Sequence, residues 1–181
     1  MGGKIMASVI QRLSAAELVE TAIMNEKLAA DHYGRLAEYA TKADNTEVAL
    51  FFHDQSNRER GHYNRLYKYR VRSGLGKNRT LGETLRWLSP EADAGREWEL
   101  NVEMDLDTAL RLTEEAEEKA QRFYCEAADD VDDPELSRLF SQLADEEEKH
   151  SRLAETLRSR YESKGKIEAP DYDDLGFGFG G

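Results

Sequence analysis

Residues 59–62 read Glu-Arg-Gly-His and residues 147–150 read Glu-Glu-Lys-His. On a helix, Glu59 and His62 project from one face a turn apart, as do Glu147 and His150, so each short motif can present two ligands together. Each motif has a solitary glutamate upstream: Glu26 lies 33 residues before Glu59, and Glu117 lies 30 residues before Glu147. Seven residues after each solitary glutamate comes a tyrosine, Tyr33 and Tyr124. The chain carries one set of chemistry-bearing residues twice, which predicts a site split between two halves about a pseudo-two-fold axis.

Four carboxylates and two imidazoles in one interior need a counter-charge. An ionised carboxylate buried without a partner costs several kcal/mol, and four together also repel one another. Two divalent cations would bring +4 to that cluster. Oxygen and imidazole donors suit iron or manganese. Six protein ligands suffice for two metals with bridging carboxylates and open positions. The bland alternative is a buried ion network that only sets the register of a helical bundle.

The elements that must position these groups are helices. Ala, Glu, Lys, Leu and Arg number 88 of 181 residues, whereas Val, Ile and Thr number 18 and Pro only 3. That is the composition of long helices. Ser14 to Glu17 forms a capping box, so a first helix is expected over 15–42. Asp44 or Asn45 can cap a second, to about 72. Asp105 or Asp107 can cap a third, to about 129, and Asp133 followed by Pro134 opens a fourth that Gly165 can end near 164. Short links make each pair an antiparallel hairpin. The segment 73–104 is long enough to cross the bundle, with short helices near 81–88 and 91–101 anchored by Trp87 and Trp98. Residues 1–13 read as an extension and 165–181 as a flexible tail.

Core-type residues recur at four-three spacing in every helix. The first stripe is Val19, Ala22, Glu26, Ala29, Tyr33, Leu36 and Ala40. The second is Val48, Phe52, Gln55, Glu59, His62, Leu66 and Tyr69. The third runs from Leu106 through Leu110, Thr113, Glu117, Ala120 and Tyr124 to Ala127. The fourth runs from Leu136 through Phe140, Leu143, Glu147, His150 and Ala154 to Leu157 and Tyr161. A carboxylate interrupts each apolar stripe near its middle.

These residues together resemble the ferritin-like di-iron carboxylate superfamily, closest to its rubrerythrin branch, over residues 14–164. The resemblance implies an all-α, ferritin-like four-helix bundle of two antiparallel hairpins joined by a long crossover. It implies metal ligation by Glu26, Glu59, His62, Glu117, Glu147 and His150, with Glu59 and Glu147 bridging. It implies that Tyr33 and Tyr124 donate hydrogen bonds to ligating carboxylates. The cofactor would be two iron ions, with manganese possible, and the substrate hydrogen peroxide or dioxygen. Two departures bear on activity. Rubrerythrins usually carry a four-cysteine iron domain that feeds electrons to the site. Cys125 is the single cysteine here, so electrons are expected from an external electron-transfer protein. Peroxidases of the family tend to carry a further glutamate one turn after the first ligand of the third helix. That position is Ala120, and Glu114, one turn before Glu117, is the possible extra ligand. Ferroxidase or iron-storage chemistry, a di-manganese catalase and a metal-free bundle therefore stand as alternatives.

Charge and hydropathy exclude other classes. The net charge is −12, and no apolar run approaches the roughly 18 residues of a membrane span. Phosphate-backbone binding is disfavoured for so acidic a chain. The start shows no signal-peptide core, so a cytoplasmic location is expected. Residues 1–90 carry 14 positive and 10 negative groups, whereas 91–181 carry 11 and 27. The basic run from Arg58 to Arg79 is expected to complement the end of the second helix, with docking of an acidic redox partner the sharper alternative. The acidic second half offers a docking or homodimer contact. Gly34 and Gly61 are candidates for close helix approach. His32 and His53 lie off the stripes and are expected at the surface, Glu146 and Glu148 are expected in solvent, and Cys125 is expected to be buried.

Overall fold

A computed structural model describes Ile10 and residues 13–42, 44–76 and 106–164, with backbone alone at 47, 106 and 161–164. The described residues form four long helices and no strand: α1 (Ala15–Lys42), α2 (Thr46–Arg72), α3 (Leu106–Asp130) and α4 (Pro134–Lys164). The crossover with its short helices and tryptophans, the Asp105 cap, Gly165, most of the N-terminal extension and the tail lie outside the described residues. No described helix is long and apolar enough to cross a membrane.

The helix boundaries follow local chemistry. At α1 the Ser14 backbone N–H donates to Glu17 Oε2 at 2.8 Å, and the Glu17 N–H donates to Ser14 Oγ at 3.4 Å. The Ser14 N–H, joined by the Ser14 hydroxyl donating to the same oxygen at 2.7 Å, holds the Glu17 carboxyl below its usual range. Asn45 caps α2 by accepting from the Val48 N–H at 3.3 Å. Asp44 occupies the left-handed region at φ 57°, reversing the chain within the short link. Gly74, at φ 67°, ends α2 while the Leu75 N–H donates back to the Arg70 carbonyl at 3.1 Å. Asp133 Oδ1 accepts from the N–H groups of Glu135 and Leu136 at 2.8 and 3.2 Å, and Pro134 opens α4. Helix α3 begins at Leu106, so Asp107 lies inside its first turn rather than at its cap.

The packing is α1 on α2 and α3 on α4, two hairpins that meet across a common interior. Two apolar clusters fill it. One joins Tyr33, Leu36 and Ala40 of α1 with Phe51 and Phe52 of α2, Leu110 and Leu112 of α3, and Leu153 and Leu157 of α4. The other joins Leu18, Val19 and Ala22 of α1 with Leu66 and Tyr69 of α2, Phe123 and Tyr124 of α3, and Leu136, Phe140 and Leu143 of α4. Each helix thus passes from one cluster to the other. The later part of α1 shares a cluster with the earlier part of α3, so these helices run antiparallel. Between the clusters lies a buried polar layer. The hairpins are also tied at one end, where the Tyr69 hydroxyl donates to Asp133 Oδ2 at 2.8 Å.

Candidate metal centre

All six groups of the doubled motif meet in that layer. Glu26, Glu59, His62, Glu117, Glu147 and His150 are each no more than 3% exposed. His62 Nδ1 lies 3.2 Å from Glu26 Oε2, 3.2 Å from Glu59 Oε2 and 2.9 Å from Glu147 Oε1. His150 Nδ1 lies 3.6 Å from Glu117 Oε2, 3.5 Å from Glu59 Oε1 and 3.0 Å from Glu147 Oε2. There are therefore two sets of one imidazole and three carboxylates. Glu26 belongs to one set and Glu117 to the other. Glu59 and Glu147 belong to both, each turning one oxygen to either imidazole. The two rings face each other nearly parallel, with centroids 5.4 Å apart and planes 4° apart.

The tyrosines cross between hairpins. Tyr33 of α1 donates to Glu117 Oε1 of α3 at 2.5 Å, and Tyr124 of α3 donates to Glu26 Oε1 of α1. Both hydroxyls act on the solitary glutamates and leave Glu59 and Glu147 to the imidazoles. Burial raises the Tyr124 hydroxyl well above its usual range, and the negative charges of Glu26 and Glu147 add to this.

Burial sorts the protons. It pushes Glu26 well above the usual carboxyl range, with the Glu59 charge reinforcing the shift. It does the same to Glu117, reinforced by Glu59 and Glu147. At Glu59 burial and the Glu147 charge are outweighed by the imidazoles, which draw it down to about 2. At Glu147 burial is likewise overcome by His62 and His150, and its carboxyl sits well below the usual range. Burial opposes charge on His62, but Glu147, Glu59 and Glu26 raise it well above its ordinary value. The carboxylates of Glu117, Glu147 and Glu59 do the same for His150 against its burial. The two solitary glutamates are thus pushed toward the neutral form, and the two shared glutamates and both imidazoles toward the charged form.

Protons satisfy this donor set poorly. A ring nitrogen carries a single N–H, yet each Nδ1 faces three carboxylates. Glu59 Oε1 and Glu147 Oε1 are buried without a hydrogen bond; the latter is close to His62 Nδ1 but not aligned with it. An unpaired buried acceptor calls for an unseen partner. A divalent cation in each set would use all of these oxygens and both Nδ1 lone pairs at once, and four carboxylates balance two such ions. The ligand-capable atoms of each four-residue set lie within 4.8 Å of one another. The residues fit two divalent cations with oxygen and imidazole preference.

The other singled-out residues lie outside the layer. Glu114 stays outside the layer and accepts from Arg158 Nε at 3.3 Å, so it joins neither set. Cys125 is exposed rather than buried. Four members of the basic run pair with carboxylates: Arg58 with Asp54 at 2.7 Å, Arg65 with Glu146, Arg70 with Glu20 at 2.7 Å, and Arg72 with Glu135. Neither Gly34 nor Gly61 is required for close approach; an added Cβ would meet Ser56 Oγ at 3.5 Å in the first case and nothing within 4 Å in the second. His53 is exposed, and His32 is half-buried beside Tyr33; neither joins the layer.

Glu146, expected in solvent, is half-buried and accepts from His62 Nε2 at 2.9 Å. Its only trace in the chain is its place beside Glu147, and that does not tell which side of α4 faces α2.

A family model described as Rubrerythrin matches residues 17–158. No curated protein and no solved structure matches the chain. The match takes in both Glu-x-x-His motifs, both solitary glutamates and both tyrosines. The doubled framework is thus that of a ferritin-like di-iron carboxylate protein, and the chain belongs to the rubrerythrin family.

Proposed function

We propose that this protein is a non-haem di-iron oxidoreductase that reduces hydrogen peroxide, or dioxygen, with electrons from a separate electron-transfer protein, in oxidative-stress defence or iron handling. One observation carries the reading: Glu59 and Glu147 each direct one oxygen to the His62 set and the other to the His150 set. Carboxylates placed in that way suit bridging between two metal positions, held by Glu26 and His62 on one side and by Glu117 and His150 on the other. A ferrous pair held there would supply the two electrons that, with two protons, convert one peroxide to two waters.

The chain's own residues do the rest. Tyr33 and Tyr124 fix the orientation of Glu117 and Glu26 by donating to one oxygen of each. The apolar clusters on both sides exclude bulk water and strengthen the electrostatic interactions inside. We further propose that the protein works in the cytoplasm as a homodimer, with the acidic second half as the docking or dimer contact. Manganese is the alternative metal.

The test is to load the protein anaerobically with ferrous iron and mix it separately with hydrogen peroxide and dioxygen. Much faster oxidation by peroxide is the expected result. Fast oxidation by dioxygen with iron retained would favour a ferroxidase or storage role. Ala120, where the peroxidases of the family tend to carry a glutamate, favours that second reading. Dioxygen evolved from peroxide by a manganese-loaded form would indicate a catalase. Purified protein without metal, whose melting ignores EDTA, would leave only a structural bundle.

A further inference from the structure

The two halves of the centre are alike in their ligands and unlike in what stands behind the imidazoles. His62 turns Nδ1 into the layer, while its Nε2 faces Glu146 Oε2 at 2.9 Å. Glu146 is in turn gripped by Arg65, whose two terminal nitrogens reach both carboxylate oxygens, one at 2.8 Å. Such a forked pair fixes the plane of a carboxylate as well as its position. The chain is therefore His62 to Glu146 to Arg65, from α2 to α4 and back to α2.

The repeat has no second copy of this arrangement. Superposing Glu59 to His62 on Glu147 to His150 puts Arg58 in the place of Glu146 and Leu153 in the place of Arg65. Arg58 Nε is engaged with Asp54 at 2.7 Å, and Leu153 is buried in the apolar cluster. Among the described residues no carboxylate reaches Nε2 of His150.

This asymmetry matters for metal binding. An imidazole that offers its Nδ1 lone pair must keep its proton on Nε2. A carboxylate accepting that proton selects the tautomer, fixes the ring and makes Nδ1 the stronger donor. His62 has that support, and among the described residues His150 has none. We propose that Glu146, braced by Arg65, is a positioning residue that makes the two halves unequal, so that the Glu26–His62 half takes its divalent ion first and holds it more tightly than the Glu117–His150 half. The inference rests on the proposed two-metal centre.

The experiment is a titration of the metal-free full chain with Co2+, followed by calorimetry and by the visible absorption of each bound ion. The wild type should bind in two steps. Glu26→Ala should remove the tighter step and Glu117→Ala the weaker one. Glu146→Gln, which keeps the shape of the side chain, should weaken the tighter step by about 10- to 100-fold, as loss of such a partner does elsewhere, and leave the weaker step in place. The absorption of the first-bound ion should change with it, which a merely structural role would not produce. Arg65→Met should act in the same direction with a smaller effect, and it carries the test if Glu146→Gln folds poorly by its melting curve. A tight step unchanged in both variants overturns the proposal, as does a single step in the wild type or a tight step that belongs to Glu117. A wild type that binds no Co2+ overturns the two-metal centre itself.

Discussion

The Tyr33 hydroxyl, on the first helix, donates to Glu117 Oε1, on the third, across 84 residues of chain at 2.5 Å. Tyr124 returns the contact from the third helix to Glu26 on the first. The exchange joins the two hairpins through the glutamates that each hairpin contributes singly.

Burial pushes the Glu117 carboxyl toward its neutral form in metal-free protein, whereas a bound metal would favour the carboxylate. Tyr33→Phe should therefore cost more in the loaded form. About 1 kcal/mol is expected without metal, and about 1.5–3 kcal/mol with it, because a hydrogen bond to a charged acceptor is the stronger kind. Melting curves of both forms provide the check, and equal losses would contradict the account.

Metal binding should release protons. Burial makes Glu26 and Glu117 hold a proton more tightly than usual, and their carboxylate neighbours do the same for His62 and His150. Divalent ions in the two sets would compete with protons at these four groups. A pH-indicator titration in weak buffer near neutrality should show protons released as the ions bind. Release near zero would mean that the ions bind elsewhere.

The pH dependence of stability should differ between the two forms. The four raised groups bind protons more tightly in the folded chain than in the unfolded one, so their contribution is full below the unfolded values and fades as pH rises through the folded ones. Metal-free protein should thus lose melting temperature as pH rises above about 4.5, the ordinary glutamate value, and more steeply above about 6.5, the ordinary histidine value. Glu59, drawn down to about 2, contributes in the opposite sense, fully above its ordinary value of 4.5 and progressively less as pH falls toward 2. In the loaded form the unfolded chain binds more protons than the folded one, so stability should rise with pH until the unfolded histidines are neutral. Parallel slopes in scanning calorimetry would count against the proton placement.

Glu59 and Glu147 serve both sets, so Ala at both positions should abolish binding of the metal pair. Glu114 serves neither and pairs with Arg158 instead. Glu114→Ala should leave metal stoichiometry unchanged and alter stability by no more than about 0.5 kcal/mol, as for other partly exposed pairs. Metal analysis and melting of the variants test both statements. A full pair bound without Glu59 and Glu147 would refute the arrangement.

Local sequence specified the helices because their ends are short-range chemistry. The Ser14–Glu17 box, the Asn45 cap, Gly74 and Asp133 with Pro134 each act within a few residues, and the helices begin and end at them. The stripes were legible for a similar reason: four-three spacing marks one face of any helix, and a carboxylate on that face must meet a counter-charge. The doubling of the motif then linked distant positions without any contact being known.

What stands beside the stripes was decided only by tertiary structure. Successive helical residues are turned by about 100°, so the two neighbours of a core residue point to opposite flanks. Phe123 and Cys125 flank Tyr124, yet the first is 1% exposed and the second is at the surface. Glu146 and Glu148 flank Glu147, yet Glu146 reaches His62 and Arg65 on the second helix, while Glu148 pairs with Arg152 of its own helix. Spacing along one helix fixes which residues share a face. Which flank of that face is covered depends on where the neighbouring helices stand, and that is a property of the assembled bundle.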